Sequence, residues 1–333
     1  MNAKKLISLL LALAMVATIA LGAVACNKTE EDVKADENKT YTVGICQLIQ
    51  HPALDAATQG FKDALVEEFG DKVVFDEQNA SGEAQVCNTI VETFVNKKVD
   101  LILANATPAL QAAAKYEEIP ILGTSITEYG VALGIDDFNG TVGGNISGTS
   151  DLAPLDKQAD MIIDLFPDAT TVGLLYCSAE ANSLYQVKVV KEYLESKGLT
   201  ATYYAFENSN DATIVAATAA SACDVLYIPT DNTAANAAEA INNVIGDTPL
   251  IAGEEGICSG TGVATLSIDY YDLGVATGKM AAKILKGEAD IATMAIEYVP
   301  EEKLTKKYNA DKCAQLGIDT AALEAKGYVK IGG

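Results

Sequence analysis

The chain has 333 residues and a formal net charge of −23, from 46 acidic side chains against 23 basic ones. So acidic a surface repels nucleic acid and anionic lipid head groups, which excludes a nucleic-acid-binding role. Every basic residue is a lysine. Without arginine there is no bidentate clamp for a carboxylate or phosphate, and an anionic ligand group must be held by Lys, hydroxyls or backbone N–H groups.

The chain opens on a basic head, Met1 to Lys5, followed by an apolar run from Leu6 to Ala23 and a small-residue exit, Ala23-Val24-Ala25-Cys26. This pattern predicts a secretory signal peptide over residues 1–25. Cys26 at its exit resembles the lipobox cysteine of bacterial lipoproteins, which is acylated and becomes the new N-terminus. Ala23 stands where that box prefers Leu. Cleavage would remove Lys4 and Lys5 and no other charge, taking the net charge from −23 to −25. Residues 26–40 then read as lipidated cysteine and flexible tether, because Asn27 to Thr40 is polar, charged and free of aromatics and cannot bury a core. No later apolar run is long enough to span a bilayer, so the membrane is expected to be reached only through the lipid.

From Tyr41 short β-branched runs alternate with helical ones. The spacing predicts strands at 42–46, 73–75, 101–103 and 121–122, separated by helices at 51–69, 83–96 and 108–116. A second series follows, with strands at 171–176, 202–206, 225–228, 250–252 and 264–268 and helices at 183–196, 211–220 and 233–244. Alternation at this spacing implies parallel sheets built from right-handed βαβ units. Two such series in a row predict an α/β protein of two Rossmann-like lobes. Gly143 to Gly148 lies between them and reads as a crossing or hinge, since a phosphate-binding glycine loop belongs directly after the first strand of its unit. Near Asp269 the chain is expected to cross back, placing a helix around 273–284 on the first lobe. A third crossing is expected at 296–299, with the tail on the second lobe. Lobe one is then 41–149 plus about 270–292, and lobe two 150–269 plus about 293–333.

In open parallel sheets, ligands bind outside the carboxyl ends of the strands. Gln47 and His51 follow the first strand, Thr107 the third, Thr124 and Ser125 the fourth. Asn182, Ser183 and Tyr185 follow the first strand of the second series; Asp231 and Asn232 follow a later one. Thr107, Ser183 and Asp231 also suit helix N-caps. Thr107, Thr124, Ser125 and free N–H groups at helix starts could hold a ligand carboxylate. Asp151, Asp231 or Asp269 could hold an ammonium, and together these groups describe a pocket for a zwitterion. His51 and Tyr185 are candidates to stack on an aromatic ring. His51 is the only histidine, which excludes a histidine metal cluster. The seven cysteines, at 26, 46, 87, 177, 223, 258 and 313, match no zinc spacing. Neither a metal nor another cofactor is expected.

Several stretches carry a family resemblance: His51 to Asp55, Ala106-Thr107-Pro108-Ala109, Gly143-Gly144-Asn145 running on to Gly148-Thr149-Ser150-Asp151, Glu180 to Ser183, Pro229 to Thr233, and Asp272 to Met280. In order and spacing, over about residues 41–331, the chain resembles the type I substrate-binding lipoproteins of ABC importers, in particular the tryptophan/tyrosine-binding family. The resemblance implies the type I periplasmic-binding-protein fold with a three-segment hinge. It also implies an amino acid, often aromatic, buried as the lobes close, and delivery by a monomer to an ABC permease with a cytoplasmic ATPase. Carried onto this chain it puts Thr107, Ser150, Asp151, Asn182, Ser183, Asp231 and Asn232 around the cleft. It departs at Glu254-Glu255-Gly256, where the family has smaller, less charged residues. The rival readings are a ligand sensor docking on a membrane receptor and a lipoprotein hydrolase using His51.

Overall fold

Two largely parallel sheets organise residues 39–332, the part of the chain that the computed structural model describes. The leader, Cys26 and nearly all of the tether lie outside the described residues. The first series runs β1 (Tyr41–Gln47), α1 (Pro52–Phe69), β2 (Val73–Asn79), α2 (Ala84–Lys97), β3 (Leu101–Asn105), α3 (Thr107–Ala113), β4 (Ile121–Ile126), α4 (Tyr129–Leu133) and β5 (Ile146–Ser150). The second runs α5 (Leu155–Leu165), β6 (Thr171–Cys177), α6 (Ala181–Ser196), β7 (Thr200–Phe206), α7 (Ser209–Ala222), β8 (Val225–Ile228), α8 (Asn232–Asn236), α9 (Ala238–Ile245), β9 (Leu250–Ala252), α10 (Glu255–Gly260) and β10 (Ala264–Ser267). The chain ends with α11 (Tyr270–Leu285), β11 (Glu297–Tyr298), β12 (Thr305–Tyr308), α12 (Ala310–Leu316), α13 (Thr320–Ala325) and β13 (Val329–Lys330).

The strand orders are β11-β5-β4-β3-β1-β2 and β13-β12-β10-β9-β8-β6-β7. In both sheets the first strand of the series lies between the second and third: β1 pairs with β2 and β3, and β6 with β7 and β8. The order reverses there, and this switch point opens a crevice at the strand ends. Each lobe is covered on both faces, which is why the central strands are continuous apolar runs. In the first lobe Phe61, Leu65 and Met280 pack on one face of the sheet, and Phe94, Leu110 and Tyr129 on the other.

α11 returns the chain to the first lobe and lies against α1. Contact between these helices is close because Gly60, Gly274 and Gly278 bring backbone to backbone. A Cβ on Gly274 would sit inside the van der Waals envelope of the Ala57 carbonyl.

The structure revises three expectations. The glycine-rich run is not a hinge: Ile146–Ser150 is β5 of the first sheet, and the crossing begins after Ser150. Gly148 has φ +146° and a Cβ there would overlap the Gly123 carbonyl and the Tyr129 hydroxyl, so glycine permits the strand approach. Residues from 293 onward do not all join the second lobe, because β11 pairs with β5; the third crossing therefore follows Tyr298. Finally, the helix expected over 233–244 is two helices, α8 and α9, meeting at Ala237.

Candidate functional site

Residues from both lobes enclose a small cavity of about 10 Å³ beside the crossings, lined by His51, Leu54, Ser125 and Thr127 from the first lobe, Asp151 and Tyr270 at the crossings, and Asn182, Thr230, Asp231, Asn232, Ala235 and Glu254 from the second. It adjoins a groove of about 700 Å³, with which it shares His51, Ala235, Glu254 and Tyr270. Pro52, Ala53 and Ala56 form one side of that groove and Ala235 and Ala238 the other.

Each polar group arrives by a local feature of the chain. His51 is the extended residue before α1, whose first turn is set by Pro52. Ser125 sits in β4 with φ +56°, where the register against β5 breaks between Gly123 and Ile126. A bulge of this kind re-aims a side chain, here toward the cleft. Asp151 follows β5, and its backbone N–H donates to the Ile126 carbonyl, fixing the start of the crossing.

Unmet hydrogen bonding is concentrated in this cavity. Among the described residues seven buried side-chain polar atoms lack a partner, and four of them belong to cavity residues: His51 Nδ1, Ser125 Oγ, Asp151 Oδ1 and Asn182 Oδ1. A buried polar atom left unpaired costs about 1–3 kcal/mol, so four in one place call for a ligand. The surrounding bonds define what these atoms can do. Asn182 Nδ2 donates to the Thr230 carbonyl at 3.0 Å, while its oxygen has no partner. Asn232 Nδ2 donates to Glu180 at 2.7 Å, so Asn232 Oδ1 accepts from His51 Nε2 at 3.3 Å. This bond joins the lobes and makes Nδ1 of a neutral His51 an acceptor.

Four carboxylates lie in or behind the cavity: Asp151, Glu180, Asp231 and Glu254, exposed by 3, 4, 1 and 3 %. Among the described residues no lysine forms an ion pair with any of them. Three are engaged in building the second lobe. Glu180 accepts from the backbone N–H groups of Asn232 and Thr233, and Asp231 from those of Cys177 at 2.6 Å and Ala234 at 2.7 Å. Glu254 accepts from Gly256 and Ile257. The helix starts of α8 and α10, expected to offer free N–H groups to an anion, are thus filled by the protein's own carboxylates. Asp151 differs: Oδ2 accepts from the Tyr270 hydroxyl at 2.9 Å, and Oδ1 has no partner.

Burial pushes the Asp151 carboxyl up to about 6, against hydrogen bonds from Tyr270 and Thr127, with the charge of Glu254 adding to the rise. Burial and then the charge of Glu180 raise Asp231, opposed by the N–H groups of Cys177 and Ala234. Burial raises Glu254 too, while His51 opposes. A carboxyl whose folded pKa is raised holds its proton where the unfolded chain has released it. Stability is therefore lost as pH rises from the unfolded pKa, near 4, through the folded one. For Asp151 the loss is roughly 3 kcal/mol across pH 4 to 6. Denaturant titration without ligand should find Asp151→Asn more stable than wild type at pH 7 and equal to it near pH 4. A constant difference across that range would contradict the assignment.

Of the sequence candidates, His51, Ser125, Asp151, Asn182, Asp231 and Asn232 line the cavity. The others lie elsewhere. Gln47 is tied to Asp55, Thr58 and the Ile49 carbonyl, bracing β1 against α1. Thr107 is buried at the start of α3. Thr124 bonds to Thr149 and Thr277 inside the first lobe. Ser150 bridges the Thr127 carbonyl and the Leu152 N–H in the first crossing. Ser183 stands behind the wall, beside Asn182 and Asp231. Tyr185 is half-buried and near Glu128 of the other lobe. Asp269 caps α11 and faces the groove. Leu54, Thr127, Thr230, Ala235 and Tyr270 were not among the candidates, and Glu254 was expected near the cleft only as part of a strand-end loop. Thr127 and Glu254 each follow a strand end, a signal that applied equally to their neighbours, whereas Tyr270 becomes a wall residue only through the second crossing.

Comparison with known proteins agrees with this architecture. The family model described as "ABC transporter substrate binding protein" matches residues 42–321. A curated tyrosine-binding protein of Clostridioides difficile (strain R20291) is 32 % identical, covering 98 % of this chain and 99 % of that protein. A Streptococcus pneumoniae ABC domain in complex with L-Trp superposes with a TM-score of 0.82 at 31 % identity, over 87 % of this chain and 100 % of that one. The ligand-free, open structure of a Clostridium difficile substrate-binding protein with adhesive properties gives 0.66 at 34 % identity, over 87 % and 99 %. Of these two, the superposition on the L-Trp complex is the better. The fold is the type I periplasmic-binding-protein fold, and with the family model spanning most of its length the chain belongs to the ABC transporter substrate-binding protein family.

Proposed function

We propose that this protein captures a zwitterionic aromatic amino acid of the tyrosine or tryptophan kind between its lobes and delivers it to an ABC permease powered by a cytoplasmic ATPase. The observation that carries this reading is that Asp151 Oδ1 and Asn182 Oδ1 both lack a partner, on residues lining one buried cavity that holds carboxylates and no lysine. An ammonium has three N–H donors and a positive charge, and meets both needs at once. The ring then lies in the adjoining groove, between Pro52-Ala53-Ala56 and Ala235-Ala238. The names of the tyrosine-binding and L-Trp-complexed relatives support the same ligand class. Because a ligand in the cavity touches both lobes only when they are together, binding favours the closed arrangement, and the His51–Asn232 bond forms in that arrangement. His51 is a latch in this reading, with no catalytic step assigned to it.

We further propose that the chain works outside the cytoplasm as a monomer, with residues 1–25 removed and a lipidated Cys26 holding it at the membrane. No helix among the described residues is long and apolar enough to cross a bilayer, and stable lipid anchoring takes more than one acyl chain. Mass spectrometry of the mature protein should find acylated Cys26; an unmodified cysteine there would remove the anchor from this account.

A thermal-shift screen of the twenty amino acids tests the ligand. One present at 100 times its Kd should add about 2.7 kcal/mol. Tyrosine or tryptophan should give the largest shift. Silence from every aromatic amino acid, with a response to another solute class, would overturn the assignment.

A further inference from the structure

We propose that the cleft also takes primary arylalkylamines, cationic ligands with the ammonium and ring of the amino acid but no carboxylate. This rests on the amino-acid reading above and extends it to a second ligand class.

The side-chain donors and acceptors of the cavity are engaged very unequally. Its side-chain donors are the hydroxyls of Ser125, Thr127, Thr230 and Tyr270, the amides of Asn182 and Asn232, and the His51 ring. All but one are engaged within the protein. Tyr270 donates to Asp151, the Thr127 hydroxyl lies beside the same carboxyl, and Thr230 donates to the Gly253 carbonyl at 3.4 Å. Asn182 donates to the Thr230 carbonyl, Asn232 to Glu180, and His51 Nε2 to Asn232. Among these hydroxyl and amide groups, the Ser125 hydroxyl is the one left without any partner.

The acceptor side is the reverse. Asp151 Oδ1, Asn182 Oδ1 and His51 Nδ1 all lack a donor, on residues that are 3, 4 and 7 % exposed. The carboxyl groups of Asp151, Asp231 and Glu254 line the same wall, with no lysine or arginine among the lining residues. Among the side chains here, a carboxylate meets one unpartnered hydroxyl and the repulsion of Asp151 at low dielectric, whereas an ammonium meets acceptors and opposite charge. Recognition is therefore concentrated on the ammonium and the ring. Removing the ligand's carboxylate deletes one hydrogen bond and a repulsion together, and the two changes offset one another.

The test is a calorimetric series on wild-type protein from residue 27 to 333 at pH 7, with L-tryptophan, tryptamine and indole-3-propionate, and the matching tyrosine, tyramine and 3-(4-hydroxyphenyl)propionate set. The amine of the better-binding set should have a Kd within tenfold of its amino acid, and the propionate should bind at least 100-fold more weakly. An amine weaker than its amino acid by more than tenfold would overturn the proposal and leave the amino-acid reading intact. So would a propionate that binds as well as the amine. If neither amino acid binds while other solutes do, the amino-acid reading itself fails. Competition between tryptamine and tryptophan for a single site should be complete; additive binding heats would place the amine elsewhere and contradict the inference.

Discussion

Asp151→Asn is expected to weaken binding of tyrosine or tryptophan by about 2–5 kcal/mol, the range for removing one member of a buried, hydrogen-bonded charge pair. In calorimetry that is a rise in Kd of roughly 30-fold to several thousand-fold. Asparagine retains an oxygen to accept from Tyr270, so the crossing should keep its shape while the charge opposite the ammonium disappears. The same substitution removes a buried carboxylate that burial holds near 6, so the ligand-free variant gains stability at neutral pH as it loses affinity. Opposite signs for stability and binding separate this outcome from simple misfolding. Asp231 looked equally suitable from the sequence, but its oxygens hold the N–H groups of Cys177 and Ala234. Asp231→Asn should lower stability and affinity together. An Asp151→Asn protein that binds within threefold of wild type would move the ammonium away from Asp151.

Gly274→Val is expected to cost about 3 kcal/mol or more of stability. Overpacking a core costs about 1–3 kcal/mol where side chains can yield; here the first obstacle is the Ala57 carbonyl, which cannot change rotamer. Separating α11 from α1 also disturbs the second crossing at Tyr270 and the start of α1, where His51 stands. Thermal unfolding should fall by about 6–12 °C. Lys279→Val, on the exposed face of α11, should stay within about 0.5 kcal/mol of wild type. Equal stability for the two variants would show that the helices are not locked by close backbone packing.

The repeated βαβ order was legible because the strands buried on both faces are continuous apolar runs, as at Leu101–Asn105 and Val225–Ile228, with amphipathic stretches of helical length between them. β5 was not. Its sequence, ISGTS, lacks an apolar run, and its place in the sheet depends on Gly148 fitting against Gly123, a relation between residues far apart in the chain. α10 has six residues, too few to show a period. Strand-end reasoning reached His51, Ser125, Asn182, Asp231 and Asn232 as wall residues, and the need for a carboxylate opposite an ammonium, with the family resemblance, reached Asp151. It could not rank them, since rank depends on which atoms the fold has already satisfied. Glu180 and Asp231 are committed to the start of α8, and nothing local in the sequence separates a carboxylate that caps a helix from one left open to a ligand. Thr124 and Gln47 also lie at strand ends, yet face Thr277 and Thr58 within their own lobe.

A crystal structure of the protein grown with L-tyrosine or L-tryptophan locates the ammonium. One ligand is expected between the lobes, its ammonium within hydrogen-bond distance of Asp151 Oδ1 and Asn182 Oδ1 and its ring toward the groove beside Pro52 and Ala235. A ligand whose ammonium contacts neither oxygen, or one bound outside the space between the lobes, would contradict it.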